Sequence, residues 1–215
     1  MLEGLNVTLY LTFLSLLFGF LLGVGLALGR IYGKKPVSWI CSGYIEVLRG
    51  TPLLVQLFIL YYGLPSVGIN LNPVVAAITG FTLNSAAYQA EYLRGSIQSI
   101  SSGQMIAARS LGMTKLRSIK NIILPQALRN TIPAWSNELI YLLKYSSLAY
   151  LILVPELTAQ GKFIAADTFR YLEIFSMIAI IYLILTIILT EILDRFEQKI
   201  RIPGLGTRKS SSLRT

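Results

Sequence analysis

One apolar stretch of this chain, residues 131–154, contains an amide, a carboxylate and an ammonium: Asn137, Glu138 and Lys144. A charge near a bilayer centre costs at least ~2.5–3.5 kcal/mol on insertion scales, so such side chains are expected to face protein or a polar path. At about 100° per residue, Asn137, Tyr141 and Lys144 share one helix face, and Glu138 and Tyr145 share a neighbouring one. A helix polar on more than one side belongs inside a bundle. From these residues alone the set reads as a buried Glu–Lys network that fixes packing. Residues 74–93 form a second polar-studded stretch, with Thr79, Thr82, Asn84, Ser85, Gln89 and Glu91. Most of these are expected to bond to neighbouring helices. Asn84, Ser85 and Tyr88 are the candidates for facing a solute, since a lipid-facing amide has no partner.

A different chemistry is concentrated in residues 99–125, a polar and basic interruption between apolar blocks. Gln104 to Leu111 has helix-forming composition, and Gly112 is suited to end it with positive φ. Thr114 is a candidate N-cap for a second piece. In that piece Leu116, Ile119, Ile122 and Ile123 recur on one helix face, with Lys115, Arg117 and Lys120 off the stripe. Pro125 is expected to end it. Neither piece is long enough to cross a bilayer, which takes about 20 apolar residues. Two readings stay open from these residues alone: an amphipathic hairpin on anionic lipid, or a docking surface for another protein.

Composition narrows what the rest can be. The 215 residues are 54% hydrophobic and 13% charged, too apolar for a soluble domain of this size. Histidine is absent and Cys41 is the single cysteine, so no metal site, internal disulfide or Cys–His catalysis is expected. General-base options shrink to carboxylates and Lys144, which disfavours an enzyme. No phosphate-binding Gly-Lys-Ser/Thr loop occurs, so ATP is not expected to bind this chain by that motif. The net charge of +9 sits between apolar runs rather than on one soluble face, so nucleic acid is not an expected partner. The N-terminus carries no basic residue before its first apolar run and no small-residue cleavage site, so it is not read as a secretory signal.

These groups would be carried by a single membrane domain spanning residues 1–215, with spans near 5–28, 44–64, 74–93, 131–154 and 174–193. Gly19, Gly23 and Ala27 recur at steps of four in the first span, a spacing that lets helix backbones approach closely. The second span must borrow from residues before Thr51, because the apolar run after Pro52 is short. Glu46 and Arg49 stand one helical turn apart, the spacing of a modest local ion pair. Of the 19 Lys and Arg residues, only Lys162 and Arg170 fall on the proposed outside, and Lys144 is intramembrane. The positive-inside bias therefore puts the N-terminus outside and the C-terminus in the cytoplasm. Residues 210–215 are expected to form a loose tail.

Several strings are specific enough to carry a resemblance. Ala107-Ala108, Gly112 after three intervening residues, and Ile122-x-Leu124-Pro125 after nine more resemble the cytoplasmic coupling loop of ABC importer permeases. Ile106 stands where that family usually has Glu, which removes a charged contact to the ATPase at that position. Arg49-Gly50-Thr51-Pro52-Leu53-Leu54-Val55-Gln56 resembles the polar amino acid branch (histidine, glutamine and arginine type). Asn84 to Glu91, Asn137 to Leu148, Val154-Pro155-Glu156-Leu157 and Ile202-Pro203-Gly204 are similar to its segments and occur in its order.

The resemblance implies an all-α integral membrane protein with the type I ABC importer permease fold: five transmembrane helices and a cytoplasmic coupling-helix loop. It implies a non-catalytic subunit of a prokaryotic plasma (inner) membrane importer. Its partners would be two ABC ATPase subunits holding ATP and Mg, a second permease subunit that is a copy or a paralogue, and an extracytoplasmic solute-binding protein. The coupling residues it points to are Gln104, Ala107, Ala108, Arg109, Gly112, Met113 and Leu116. The path residues are Asn84, Ser85, Tyr88, Asn137, Glu138, Lys144 and Ser147, with Glu138 meeting an α-amino group or a basic side chain. An ion-gradient-driven secondary transporter is the competing class; it usually carries more spans and internal repeats, and none is evident here.

Overall fold

The computed structural model describes residues 1–200; among them every regular element is helical. The Ile202-Pro203-Gly204 ending, the basic residues from Arg201 onward and the expected tail lie outside the described residues. Helix α1 (Leu2–Tyr32) and helix α4 (Pro73–Gln98) form the most extensive helix pair. Their seam is the small-residue stripe expected from the sequence. Gly19, Gly23 and Ala27 are buried on α1, facing Ser85, Ala86, Gln89 and Ala90 of α4. A β-carbon at Gly23 would lie 3.0 Å from the Ala86 carbonyl oxygen, so glycine lets the two backbones come this close without one having to give way. The opposite flank of α1 exposes Tyr10, Phe13, Leu17 and Leu21.

The second segment departs from a simple crossing. Helix α2 (Lys35–Gly50) and helix α3 (Leu53–Phe58) are separated at Thr51-Pro52. The pieces Lys35–Gly50 and Leu53–Val67 meet at 104°, so the stretch 44–64 is not one helix. The cause is Pro52, which lacks an N–H and forces Thr51 into extended geometry (φ −112°, ψ 145°). Gln56 satisfies the freed groups: its Nε2 donates to the Leu48 carbonyl (2.8 Å) and to Thr51 Oγ1 (2.8 Å). A π-helical turn (Ile59–Gly63) and a 3₁₀ turn (Leu64–Val67) follow, and Asn72 caps α4 by accepting from Val74 N at 3.0 Å.

The polar interruption folds as a hairpin. Helix α5 (Ser102–Ser110) ends at Gly112 (φ +82°), and Thr114 caps helix α6 (Lys115–Ser118). Pro125 does not end the second piece. A π-helical turn at Ile119–Ile123 continues into helix α7 (Leu124–Tyr145). Leu124 N bonds to Ile119 O, one residue further back than in α geometry, and the widened turn takes the proline ring. After Tyr145 the chain tightens into a 3₁₀ stretch (Ser146–Ile152), so the expected span 131–154 is α-helical only in its first part. Helix α8 (Leu157–Thr168) bends 52° away, capped by Glu156, whose carboxylate accepts from Thr158 N and Ala159 N at 2.8 Å each.

Helix α9 (Tyr171–Ile200) buries only Ile178 among its residues and exposes Leu183, Ile184, Ile187, Ile188 and Ile192, a surface suited to lipid. Leu2–Tyr32 and Tyr171–Ile200 are each long and apolar enough to cross a membrane alone, and the two bent pairs, 35–67 and 115–168, qualify when each is taken together. Two apolar clusters hold the bundle. One joins Leu11, Leu57, Ala77, Phe81 and Leu142, and the other joins Ala27, Ile45, Ala90, Leu93 and Ile123.

Candidate functional site

Glu138 lies on α7 and is 5% exposed. Its Oε1 accepts from Ser85 Oγ at 2.7 Å and its Oε2 from the Tyr92 hydroxyl at 3.2 Å, both on α4. Behind these bonds runs a relay of neutral groups. Gln89 Nε2 donates to Ser85 Oγ (2.9 Å) and to the Leu16 carbonyl (3.2 Å), while Gln89 Oε1 accepts from Trp135 Nε1 at 2.8 Å. Among the described residues no Lys or Arg nitrogen lies within 4.0 Å of this carboxylate. Glu138 is thus a buried acid held by neutral donors, a site that a cation or a proton would complete.

The expected Glu138–Lys144 network is absent. Lys144 is six positions on, about two-thirds of a turn around the helix, and is exposed. Its Nζ lies over the Tyr141 ring, 4.9 Å from the centroid. The aromatic side chain in contact with the carboxylate is Tyr92, with other tyrosines nearby on α4 and α7. Tyr92 sits 6.5 Å from Tyr88, and Tyr141 and Tyr145 stack at 6.1 Å. Arg49 lies over Tyr88 at 5.2 Å. Such rings favour a nearby cation through their π faces.

Of the seven predicted path residues, the structure brings Ser85 and Glu138 into contact, with Tyr88 next to them through Tyr92. Asn137 and Lys144 are on the exposed flank of α7. Asn84 is buried and turned to the helix break, with its Nδ2 donating to the Leu48 carbonyl (3.1 Å) and Gln56 Oε1 (3.0 Å). Ser147 donates to the Lys144 carbonyl at 2.7 Å, at the start of the 3₁₀ stretch. Tyr92 was not anticipated, although it stands four residues after Tyr88, the spacing that puts both on one helix face.

An ion cluster gathers at Glu91, where α1, α2 and α4 meet. Glu91 holds Arg30 (2.6 Å), Arg94 (2.9 Å) and, at 3.5 Å, Arg49. The expected Glu46–Arg49 pair is not formed; Glu46 meets Arg30 at 3.4 Å.

The basic hairpin presents large apolar groups to its surroundings. Ile106, Leu111 and Leu116 are 65%, 84% and 74% exposed, beside exposed Arg109, Arg117 and Lys120. Ala107 and Gly112 are also exposed, Ala108 is buried, and Gln104 and Met113 are half-buried. Two contacts fasten the hairpin to the bundle. Gln104 and Gln126 exchange amide bonds at 3.1 and 2.6 Å, and Lys115 lies over the Tyr32 ring at 5.5 Å.

Comparison with known proteins covers nearly the whole chain. Residues 16–202 match the family model described as binding-protein-dependent transport system inner membrane component. The probable amino-acid permease protein YxeN of Bacillus subtilis strain 168 is 42% identical over 207 residues, covering 94% of this chain and 92% of the relative. The glutamine transport system permease protein GlnP of Escherichia coli strain K12 is 38% identical over 204 residues, covering 94% and 93%. The crystal structure of an amino acid ABC transporter with histidines superposes with a TM-score of 0.87 at 42% identity, covering 92% of each chain.

Proposed function

The chain belongs to the family of binding-protein-dependent transport system inner membrane components, and on that premise we propose that it lines the path of an ATP-driven amino acid importer. The observation that carries this is the Glu138 carboxylate, buried with no cationic partner among the described residues and beside the tyrosines of α4 and α7. That face belongs against a second permease subunit, a copy or a paralogue, with the solute passing between them. Glu138 meets the solute's cationic group, Tyr88 and Tyr92 line the way, and Ser85 keeps the carboxylate in place. Asn137 and Lys144 stand on the flank that the second subunit covers.

Two ATPase subunits dock on the hairpins through Ile106, Leu111 and Leu116, binding the ATP and Mg that this chain is not built to hold. An extracytoplasmic binding protein delivers the solute. The chain crosses the membrane five times, with α4 as the third crossing, its N-terminus outside and its C-terminus in the cytoplasm. ATP-driven approach of the ATPases moves each hairpin, and the hairpin moves α7 through Gln104–Gln126, exchanging two rigid arrangements of the bundle.

Family membership favours this over an ion-driven secondary transporter, which would move solute with no ATPase present. The test is uptake by the reconstituted complex. Glu138→Gln should lower uptake at least a hundredfold while the subunits still co-purify, and undiminished uptake removes Glu138 from the path.

A further inference from the structure

Resting on that reading of the tyrosine face, we propose that Arg49 takes the solute's carboxylate beside Tyr88, on the same stretch of α4 that meets Glu138, which makes the path complementary to a zwitterion. The ion cluster leaves Arg49 as its surplus cation. Glu91 is engaged by Arg94 through two bonds, Nε to Oε1 and NH2 to Oε2, each 2.9 Å, and by Arg30 at 2.6 Å. Glu46 is taken up by Arg30. Three guanidiniums thus face two carboxylates, and Arg49 has the longest contact, 3.5 Å. Its side chain is also the most open of the three, 40% exposed against 23% for Arg30 and 31% for Arg94.

The position of Arg49 follows from the backbone. It is the penultimate residue of α2, just before the chain turns at Thr51-Pro52, and its guanidinium lies over Tyr88. Tyr88 neighbours Tyr92, whose hydroxyl is on Glu138. Tyr88 and Tyr92 therefore lie between the Glu138 carboxyl, which has no cationic partner among the described residues, and a guanidinium that makes the longest contact of its cluster. A planar guanidinium resting on a ring keeps its N–H edge free for two-pronged bonding to a carboxylate, and its weak hold on Glu91 is easily exchanged for a solute carboxylate. Lys144 is the rival group, but it lies over Tyr141, whereas the cation over Tyr88 is Arg49.

The test uses the complete complex, with its ATPase and second permease subunit, in lipid nanodiscs. The twenty proteinogenic L-amino acids are screened by calorimetry, and the tightest binder is compared with its own methyl ester, which keeps the ammonium and loses the carboxylate charge. Wild type should prefer the acid at least tenfold. Arg49→Gln should weaken the acid at least tenfold and leave the ester unchanged, while Arg49→Lys should keep an intermediate preference. Equal weakening of acid and ester, or no change in either, overturns the assignment. So does a preference that survives Arg49→Gln and disappears in Lys144→Met. Glu138→Gln reports separately on the underlying reading: it should weaken acid and ester alike. If it weakens neither, or if none of the twenty binds, the site reading fails and this inference fails with it.

Discussion

Gly23 is a position where the seam between α1 and α4 has little room to spare. A β-carbon there would lie 3.0 Å from the Ala86 carbonyl oxygen, 3.1 Å from Gln89 Cβ and 3.3 Å from Ala90 N. Two of these three atoms belong to the α4 main chain and cannot rotate aside. Gly25, on the same helix, would place a β-carbon with nothing within 4 Å. Replacing either glycine by alanine removes the same helix-interior penalty, ~0.5–1 kcal/mol. Gly25→Ala should therefore stabilise by that amount. Gly23→Ala must also force the helices apart, and overpacking of this kind costs ~1–3 kcal/mol. The two variants should differ by about 1–3 kcal/mol in favour of Gly25→Ala. Equilibrium unfolding in mixed micelles, titrated with a denaturing detergent and followed by far-UV circular dichroism, measures that gap. If Gly23→Ala is as stable as Gly25→Ala, the seam is not set by backbone approach and the reasoning fails.

Two further outcomes are expected. Gly112→Asp places a side chain at φ +82°, a strain of ~1–2 kcal/mol, and adds a negative charge to a basic hairpin. ATP hydrolysis by the assembled complex should then lose its stimulation by solute-loaded binding protein, and normal stimulation would argue against the hairpin as the coupling element. Trp135→Phe removes the donor to Gln89 Oε1 and leaves a buried acceptor unpaired, which should cost ~1–3 kcal/mol of stability in the same unfolding assay. Unchanged stability would mean that Trp135 does not hold the relay behind Glu138.

The sequence disclosed most of what is local and little of what is tertiary. The Gly112 break, the Thr114 cap and the small-residue stripe of α1 were legible because each depends on a residue's own backbone preference or size. Pro125 misled because a proline ends an α-helix only if the preceding turn keeps α geometry, and here a π-helical turn absorbs it. Thr51-Pro52 was visible as a motif, but nothing in it said that the chain would turn by 104°. Partner choice was the least legible. Glu138 and Lys144 look like a pair on paper, yet the carboxylate is met from α4, and Lys144 is placed elsewhere by the angular step of the helix. Arg49 likewise passes over its near neighbour Glu46 for Glu91, a choice that only the approach of α2 to α4 decides.

That division of partners bears on how a push on the hairpin would reach the path. Glu138 rides on α7, but both of its bonds come from α4, which is locked to α1 through the glycine seam. The hairpin is fastened to α7 at Gln126, twelve residues before Glu138, or about 18 Å along a helix. Between them Pro133 removes one main-chain bond, so α7 can tilt there, while Trp135 just beyond it is held by Gln89 and Phe20. Drawing α7 away from α4 by ~0.5 Å would take the 3.2 Å Tyr92 bond past hydrogen-bond range while the 2.7 Å Ser85 bond still held. The carboxylate would then need another partner, and a cation on the tyrosine strip is the one this surface is shaped to offer. If the hairpin does move α7 in this way, it would act on Glu138 through two hydrogen bonds of unequal length, and the Tyr92 bond would break first.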